Sequence, residues 1–342
     1  MATMDVFNQD AFSMISLTTA INQQPFLPTF LGDIGIFTAR PIRTVAAAIE
    51  DRNGTLSLIQ TSQRGAPLTE GKADKRNIRY FNTARLAKGD TIFAHEIQNV
   101  RAFGSETELQ QVSTEVAYRY SKLQNDVALT HENMRLGAVQ GIVLDADGST
   151  IYNWFTEWGV SQPSEVDWDL DNATPASGAV RQLCNSTLRT VQRALSGMWI
   201  PGRSYLLGLC GDNYWDNLTQ HPEIIKTYLN TQQASELRGD KMPFETFNYG
   251  GITWVNYRGT DDGTTVAVGS DKVKFVPVGV PGLFETAFAP AESFDYVNTP
   301  GLPVYAMLVT DRDRNAWVRP ELYSYPLFYC TRPAALLRGK RT

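Results

Sequence analysis

Residues 272–307 read KVKFVPVGVPGLFETAFAPAESFDYVNTPGLPVYAM, and residues 324–338 read SYPLFYCTRPAALLR. Apolar side chains occur there in short bursts, and prolines and glycines separate the bursts. Because proline lacks a backbone N–H and glycine accepts a positive φ, this pattern predicts short strands joined by tight turns and argues against a helix bundle. The same stretch places no nucleophile beside a base, so it favours a structural role over a catalytic one.

The composition is that of a globular chain with a full hydrophobic core. Hydrophobic residues make up 42% of the 342 residues and aromatic residues 11%, which is too apolar for a disordered chain. The net charge of -5 argues against a dedicated nucleic-acid-binding protein, because such proteins carry a basic face. No run approaches the ~20 apolar residues that span a bilayer, and residues 1–10 do not resemble a secretory signal. The sequence therefore predicts no membrane partner.

The clearest helix signal begins at Ser105. Ser105 and Glu108 form a capping box, in which each side chain accepts from a free N–H at the start of the helix. Apolar residues then recur with the helical period as far as Ala138. The pattern predicts one helix over about 105–140, roughly 50 Å long, which suits a strut. A shorter amphipathic pattern predicts a second helix over about 178–196.

Two stretches of opposite charge are predicted to meet between copies of the chain. Residues 61–90 carry seven Lys or Arg against three acids, and we interpret them as a projecting hairpin loop. Before them, Asn53-Gly54 between two apolar runs predicts a hairpin turn. Residues 142–180 carry seven acids and no Lys or Arg to neutralise them. The predicted inter-subunit residues are Arg64, Lys72, Lys75 and Arg76 on the basic side and Glu165, Asp167, Asp169 and Asp171 on the acidic side. The alternative is that both stretches are solvated surfaces. The basic tail at 338–341 is interpreted as a solvated end in preference to a DNA contact.

Two groups of carboxylates resemble metal sites, but neither is complete. Residues 145–149 (DADGS) begin like a calcium loop, yet position 12 is Thr156 where a Glu is required, so an acidic hairpin turn is predicted. The acids at 167, 169 and 171 alternate along the chain, which fits one solvated side of an extended segment. We predict no metal at either place.

The histidines and cysteines do not form a catalytic or metal-binding set. His95, His131 and His221 have no metal-ligand spacing; we expect His131 to be exposed or paired with Glu132, and His221 to belong to a helix start. The three cysteines are odd in number and widely spaced, which fits buried, reduced thiols. No dinucleotide, phosphate-loop or nucleophile-elbow motif is present, so we predict no catalytic residue and no cofactor.

A series of short motifs, most of them in the last 240 residues, resembles one structural family in both letters and order. The blocks are Arg101-Ala102-Phe103-Gly104, Thr130-His131-Glu132, Gly141-Ile142-Val143-Leu144, Cys210-Gly211-Asp212, His221-Pro222-Glu223, Tyr249-Gly250-Gly251-Ile252-Thr253, Pro277-Val278-Gly279-Val280-Pro281-Gly282-Leu283-Phe284, Asn298-Thr299-Pro300-Gly301-Leu302-Pro303 and Arg332-Pro333. With them the chain resembles the lambda-type (E-type) major capsid proteins of tailed bacteriophages.

The resemblance implies an α+β fold of the Hong Kong 97 capsid type. Its expected parts are an N-terminal arm (1–42), an extended loop hairpin (43–97), a peripheral domain (98–175) with a spine helix at about 105–140, an axial domain (176–310) and C-terminal strands (311–342) that return to the peripheral domain.

The function implied by the resemblance is structural. Copies of the chain are expected to assemble as hexamers and pentamers into an icosahedral head, enclosing double-stranded DNA without sequence-specific binding. Expected partners are a portal, a scaffold and a decoration protein, with assembly in the host cytoplasm and a final location in the virion. Two alternatives stay open: an encapsulin-type nanocompartment shell, and a soluble hydrolase with a lid at residues 61–90.

Overall fold

The computed structural model describes residues 26–52, 76–97, 112–172, 174–229, 246–260, 262–314 and 316–342. The helices of this part of the chain are α1 (Phe30–Ile34), α2 (Ala94–Ile97), α3 (Val112–Gln140), α4 (Trp154–Trp158), α5 (Ala179–Ala194), α6 (Asp212–Gln220) and α7 (Pro222–Leu229), with 3-10 turns at Phe294–Tyr296 and Pro333–Ala335. Helices and strands are both abundant, so the predicted α+β class is confirmed.

The described strands lie in several separate sheets. They are β1 (Thr38–Pro41), β2 (Ala46–Arg52), β3 (Arg76–Asn82), β4 (Leu86–Gly89), β5 (Ile92–Phe93), β6 (Ile142–Leu144), β7 (Thr150–Asn153), β8 (Val166–Asp167), β9 (Tyr205–Cys210), β10 (Thr246–Tyr249), β11 (Ile252–Asn256), β12 (Lys272–Val278), β13 (Phe284–Phe288), β14 (Tyr305–Thr310), β15 (Trp317–Ser324), β16 (Pro326–Cys330) and β17 (Leu337–Lys340). One sheet has the order β10-β11-β9-β12-β17-β8, a second β1-β13-β16 and a third β14-β15-β4, with β5 also pairing with β15. The pairs β2–β3 and β6–β7 complete the set.

The long helix α3 is the longest described element. It has 29 residues, which corresponds to about 44 Å. Its predicted end is confirmed at Gln140, where Gly141 follows with a φ of 84°; the predicted start at Ser105 lies outside the described residues. Leu123 and Val127 pack against β15, while other residues of the helix pack against β16. Helix α3 therefore packs against strands of two different sheets.

The six-stranded sheet holds the largest core. Helix α5 covers it with Val180, Cys184 and Val191, which recur on one face as an amphipathic helix requires. This confirms the second predicted helix. On the sheet itself, the ring of Trp168 lies 5.3 Å from that of Trp254 and 5.5 Å from that of Phe275.

The C-terminal strand corrects one expectation. β17 is an internal strand that pairs antiparallel with β12 and parallel with β8, so the interpretation of 338–341 as a solvated end is wrong. Its two neighbours come from different expected domains, because β12 lies in the segment 176–310 and β8 in the segment 98–175. The charges of Lys340 and Arg341 suggested a solvated tail. In the structure both side chains form ion pairs, Lys340 with Asp167 and Arg341 with Asp271, beside the same sheet.

The segment before the long helix contains strands where the sequence predicted a loop. β2 pairs with β3 in a register from Ala46↔Asn82 to Arg52↔Arg76, while the predicted turn at Asn53-Gly54 lies outside the described residues. Residues 76–90 were expected to form part of a polar loop, but they include β3 and β4. β3 is held there by its pairing with β2 and by Phe81, which is buried against Trp154.

Candidate assembly surfaces

The β2–β3 hairpin has one packed face and one open apolar face. Ala47, Ile49 and Phe81 are buried on the packed face, where the ring of Phe81 lies 5.3 Å from that of Trp154. The opposite face leaves Ile78 57% and Tyr80 71% exposed. A two-stranded ribbon is marginally stable alone, so the packed face fixes the hairpin and the open face is available for contacts.

The basic residues of segment 61–90 divide into two groups. Arg85 contacts Glu292 at 3.0 Å and Lys88 contacts Asp126 at 2.7 Å, so both have partners within the chain. Arg76 is the first residue of β3. Arg64, Lys72 and Lys75 lie outside the described residues.

The acidic side is partly neutralised by the chain itself. Glu165 lies 2.7 Å from Lys272 and Asp167 lies 3.1 Å from Lys340. The hydrogen bond from Lys272 is the main reason why the pKa of Glu165 is lowered. The premise that no basic residue neutralises residues 142–180 is therefore wrong for these two acids, because their partners lie on distant strands.

Asp169 and Asp171 are the remaining members of the acidic set. Asp169 accepts a hydrogen bond from the side chain of Asn172 at 2.8 Å, and its backbone adopts a φ of 48°. Asp171 is exposed. All four predicted acids lie within residues 165–171, on β8 and on the segments directly before and after it.

A buried carboxylate on the long helix was missed by the sequence analysis. Glu132 is 0% exposed, and its oxygens accept from the backbone N–H groups of Leu31 at 2.7 Å and Gly32 at 3.2 Å. They also accept from the hydroxyl of Tyr257 at 3.2 Å and from Arg135 at 3.3 Å. Burial raises the pKa of Glu132. The site joins α1, α3 and the segment after β11, and its only signal in the sequence is a polar gap in the apolar stripe of the helix.

His131 is buried, which corrects the expectation of exposure or a link to Glu132. Its Nε2 lies 2.9 Å from Ser324 Oγ, and that hydroxyl donates to the carbonyl of Pro303 at 2.6 Å. Because the hydroxyl proton is used there, Nε2 carries the imidazole proton and donates to Ser324. Burial, followed by the nearby Arg135, lowers the pKa of His131 to about 4. The ring is therefore neutral at pH 7.

The remaining motifs have structural roles in the described residues. Asp145 and Asp147 accept backbone hydrogen bonds inside the β6–β7 turn, which confirms the predicted hairpin turn. His221 lies directly before α7, as predicted. Within the described ranges no group of three or more His, Cys, Asp or Glu could hold a metal ion. In the same ranges no helix is both long and apolar enough to cross a membrane.

The three cysteines are free and buried, as the sequence predicted. Burial raises the pKa of Cys184 and of Cys330 to about 12. Their thiols are therefore protonated and poor nucleophiles at neutral pH.

Comparison with known proteins gives a consistent result. A family model described as phage major capsid protein E matches residues 13–341. The chain is 26% identical over 324 residues to the major capsid protein of Pseudomonas phage KPP10, covering 89% of this chain and 90% of that protein. It is 25% identical over 355 residues to the major capsid protein of Salmonella phage Felix O1, covering 95% of both.

A solved structure shows the same fold. The capsid subunit of cyanophage A-1(L) superposes with a TM-score of 0.53 at 13% identity, covering 93% of this chain and 94% of the other. The capsid protein of cyanophage P-SCSP1u superposes with a TM-score of 0.50 at 12% identity, covering 90% and 86%.

Proposed function

Because the chain belongs to the phage major capsid protein E family and is a phage major capsid protein with the Hong Kong 97-type fold, we propose that its copies form hexamers and pentamers of an icosahedral head. The observation that carries the proposal is the family match over residues 13–341, which includes the hairpin, the long helix and every described sheet. The match favours a phage head over the encapsulin-type alternative. The family is one of structural proteins, so we also infer that the chain is not an enzyme.

The expected division of the chain is part of the proposal. In it, α3 and the C-terminal strands β15, β16 and β17 belong to the peripheral domain, and β9 to β14 with α5, α6 and α7 belong to the axial domain. The pairing of β17 with β12 supports adding the last strand to the axial part.

The proposed contact between copies joins the basic loop of one to the acidic edge of the next. Arg64, Lys72, Lys75 and Arg76 are the loop residues, and the intramolecular partners of Glu165 and Asp167 shift most of the opposite role to Asp169 and Asp171. Each exposed pair contributes only about 0.2–1 kcal/mol, but several pairs repeated around a shell add up.

A charge-reversal experiment tests this contact. The variant Lys72→Glu, Lys75→Glu, Arg76→Glu should assemble poorly and with greater salt sensitivity, and adding Asp169→Lys and Asp171→Lys should restore assembly. The matched control reverses the exposed Arg189 and Arg193 of α5. Sedimentation at low and high salt measures particles, and circular dichroism checks the fold. Normal assembly of the triple variant at low salt would contradict the pairing.

The remaining partners follow from the role of a head protein. We propose a portal, a scaffold and a decoration protein as partners, packaged double-stranded DNA held without sequence-specific contacts, and assembly in the host cytoplasm. The net charge of -5 supports weak contact with DNA, because a dedicated DNA binder carries a basic face. Electron microscopy of the chain expressed alone and with its neighbouring genes tests these partners, and particles that form equally well alone would contradict the need for a scaffold.

A further inference from the structure

A fully exposed aromatic side chain occupies the turn before β14. Phe294 is 98% exposed at the start of the 3-10 turn Phe294–Tyr296, and Val297 and Leu302 nearby are 64% and 48% exposed. One exposed apolar residue is ordinary on a protein surface. Three on one short segment form an apolar tip, which is typical of a contact surface.

The segment that presents Phe294 is fixed to the body of the protein. The ring of Tyr296 packs against that of the buried Tyr305 with centroids 4.7 Å apart. Further along, the N–H of Gly301 donates to the carbonyl of Ile42 at 2.9 Å. Phe294 is therefore held in place before any contact forms, which lowers the entropic cost of binding.

A small pocket lies directly beside this turn. Its volume is about 150 Å³, and it is lined by Arg85, Ala291, Glu292, Ser293, Met307, Tyr323 and Tyr325. A cavity of about 150 Å³ is large enough for a benzene ring. The chain's own Phe294 does not fill it, since that side chain is 98% exposed.

The lining of the pocket suits an uncharged aromatic ring. Tyr323, Tyr325 and Met307 offer ring and sulfur contacts of the kind that aromatic side chains prefer. The two charged residues of the lining pair with each other, because Arg85 Nε lies 3.1 and 3.0 Å from the two carboxylate oxygens of Glu292. The guanidinium of Arg85 also lies over the ring of Tyr323 at 5.5 Å.

We propose that Phe294 of one copy inserts into the Arg85–Tyr325 pocket of a second copy, and that this contact helps to build the shell. The inference rests on the proposed assembly into a head. The size of the pocket, its aromatic lining and the exposed ring identify a second copy of the chain as the occupant. Because Phe294 directly follows the lining residue Ser293, one patch carries both the inserted ring and its receptor. Such a patch fits contacts that close around a symmetry axis.

Truncation of the ring tests the contact. Phe294→Ala should raise the subunit concentration needed for assembly by about 30-fold, the loss typical of a central aromatic anchor. Phe294→Leu should recover part of the loss. The control Ile225→Ala truncates another exposed apolar residue, 39% exposed on α7, and should assemble like the wild type. Light scattering against concentration measures assembly, and circular dichroism confirms that each subunit is folded.

A pocket variant and the assembled shell complete the test. Met307→Lys places a charge in the pocket and should lose assembly to a similar extent, while the double variant should be no worse than either single one. An electron cryomicroscopy map of wild-type particles should show the ring of Phe294 against Met307 and Tyr325 of another copy. Normal particles from Phe294→Ala, or a ring that faces solvent in the map, would overturn the contact alone. Absence of particles when the wild type is expressed together with its neighbouring genes would contradict both the contact and the proposed shell.

Discussion

Replacing Gly339 with alanine should destabilise the subunit by crowding Trp168 and Val273 on the six-stranded sheet. A Cβ at this position would lie 2.6 Å from Trp168 Nε1, 2.8 Å from its Cδ1 and 2.8 Å from Val273 Cγ1. Carbon contacts are favourable only at about 3.5–4.0 Å, so at least one neighbour must move. Trp168 is 2% exposed and confined by Trp254 and Phe275, so the sheet cannot relax cheaply.

The expected cost of Gly339→Ala is about 1–3 kcal/mol, the usual range for an extra methyl group in a packed core. Gly339 is not among the glycines with positive φ, so the loss would arise from packing and not from backbone strain. Urea unfolding of the unassembled subunit, followed by tryptophan fluorescence, measures the effect as a lower midpoint.

The matched control for this experiment is Lys340→Ala at the adjacent position. It removes a partly exposed ion pair with Asp167, which typically contributes about 0–1 kcal/mol. If Gly339→Ala unfolds at the same urea concentration as the wild type, the packing argument for β17 is wrong.

Three further predictions concern the helix and the thiols. The pKa of His131 is about 4 in the folded chain and about 6.5 in the unfolded one, so the unfolded chain binds more protons. The free energy of unfolding should therefore fall as the pH drops from 7 to 4. His131→Gln should flatten this dependence on pH, and an unchanged dependence would contradict a buried, neutral His131. Leu123→Pro in the interior of α3 should cost about 3 kcal/mol or more and abolish particles, so normal particles would argue against a supporting role for the helix. Cys184, Cys210 and Cys330 should react with a thiol reagent only after unfolding, and fast labelling of the native subunit would show that a thiol is accessible.

The features that the sequence predicted correctly are those with a local signal. The end of α3 at Gln140 and the extent of α5 follow from helical periodicity, and the turn at 145–149 follows from the preference of Asp and Gly for tight turns. The strand-rich last third follows from its prolines and glycines. Each of these signals involves residues a few positions apart, and each was found where it was expected.

The features that were missed depend on residues far apart in the chain. Glu165 and Lys272 are separated by 107 positions, so a charge count over 142–180 could not include that lysine. β17 is stabilised by strands that begin at Val166 and Lys272, and its own four residues look like a polar tail. The charge of the last residues therefore predicted a solvated tail, which is wrong, because pairing with β12 and β8 places β17 inside the sheet.

Glu132 shows why the long helix carries polar residues at its most buried point. A buried carboxylate is costly unless its oxygens are bonded, and this one accepts from Leu31, Gly32, Tyr257 and Arg135. Two of these donors are backbone groups of α1, so α1 cannot leave the helix without exposing an unsatisfied charge. An apolar contact would tolerate sliding, whereas these directional bonds accept only one orientation. Glu132 therefore fixes the position of α1 on α3.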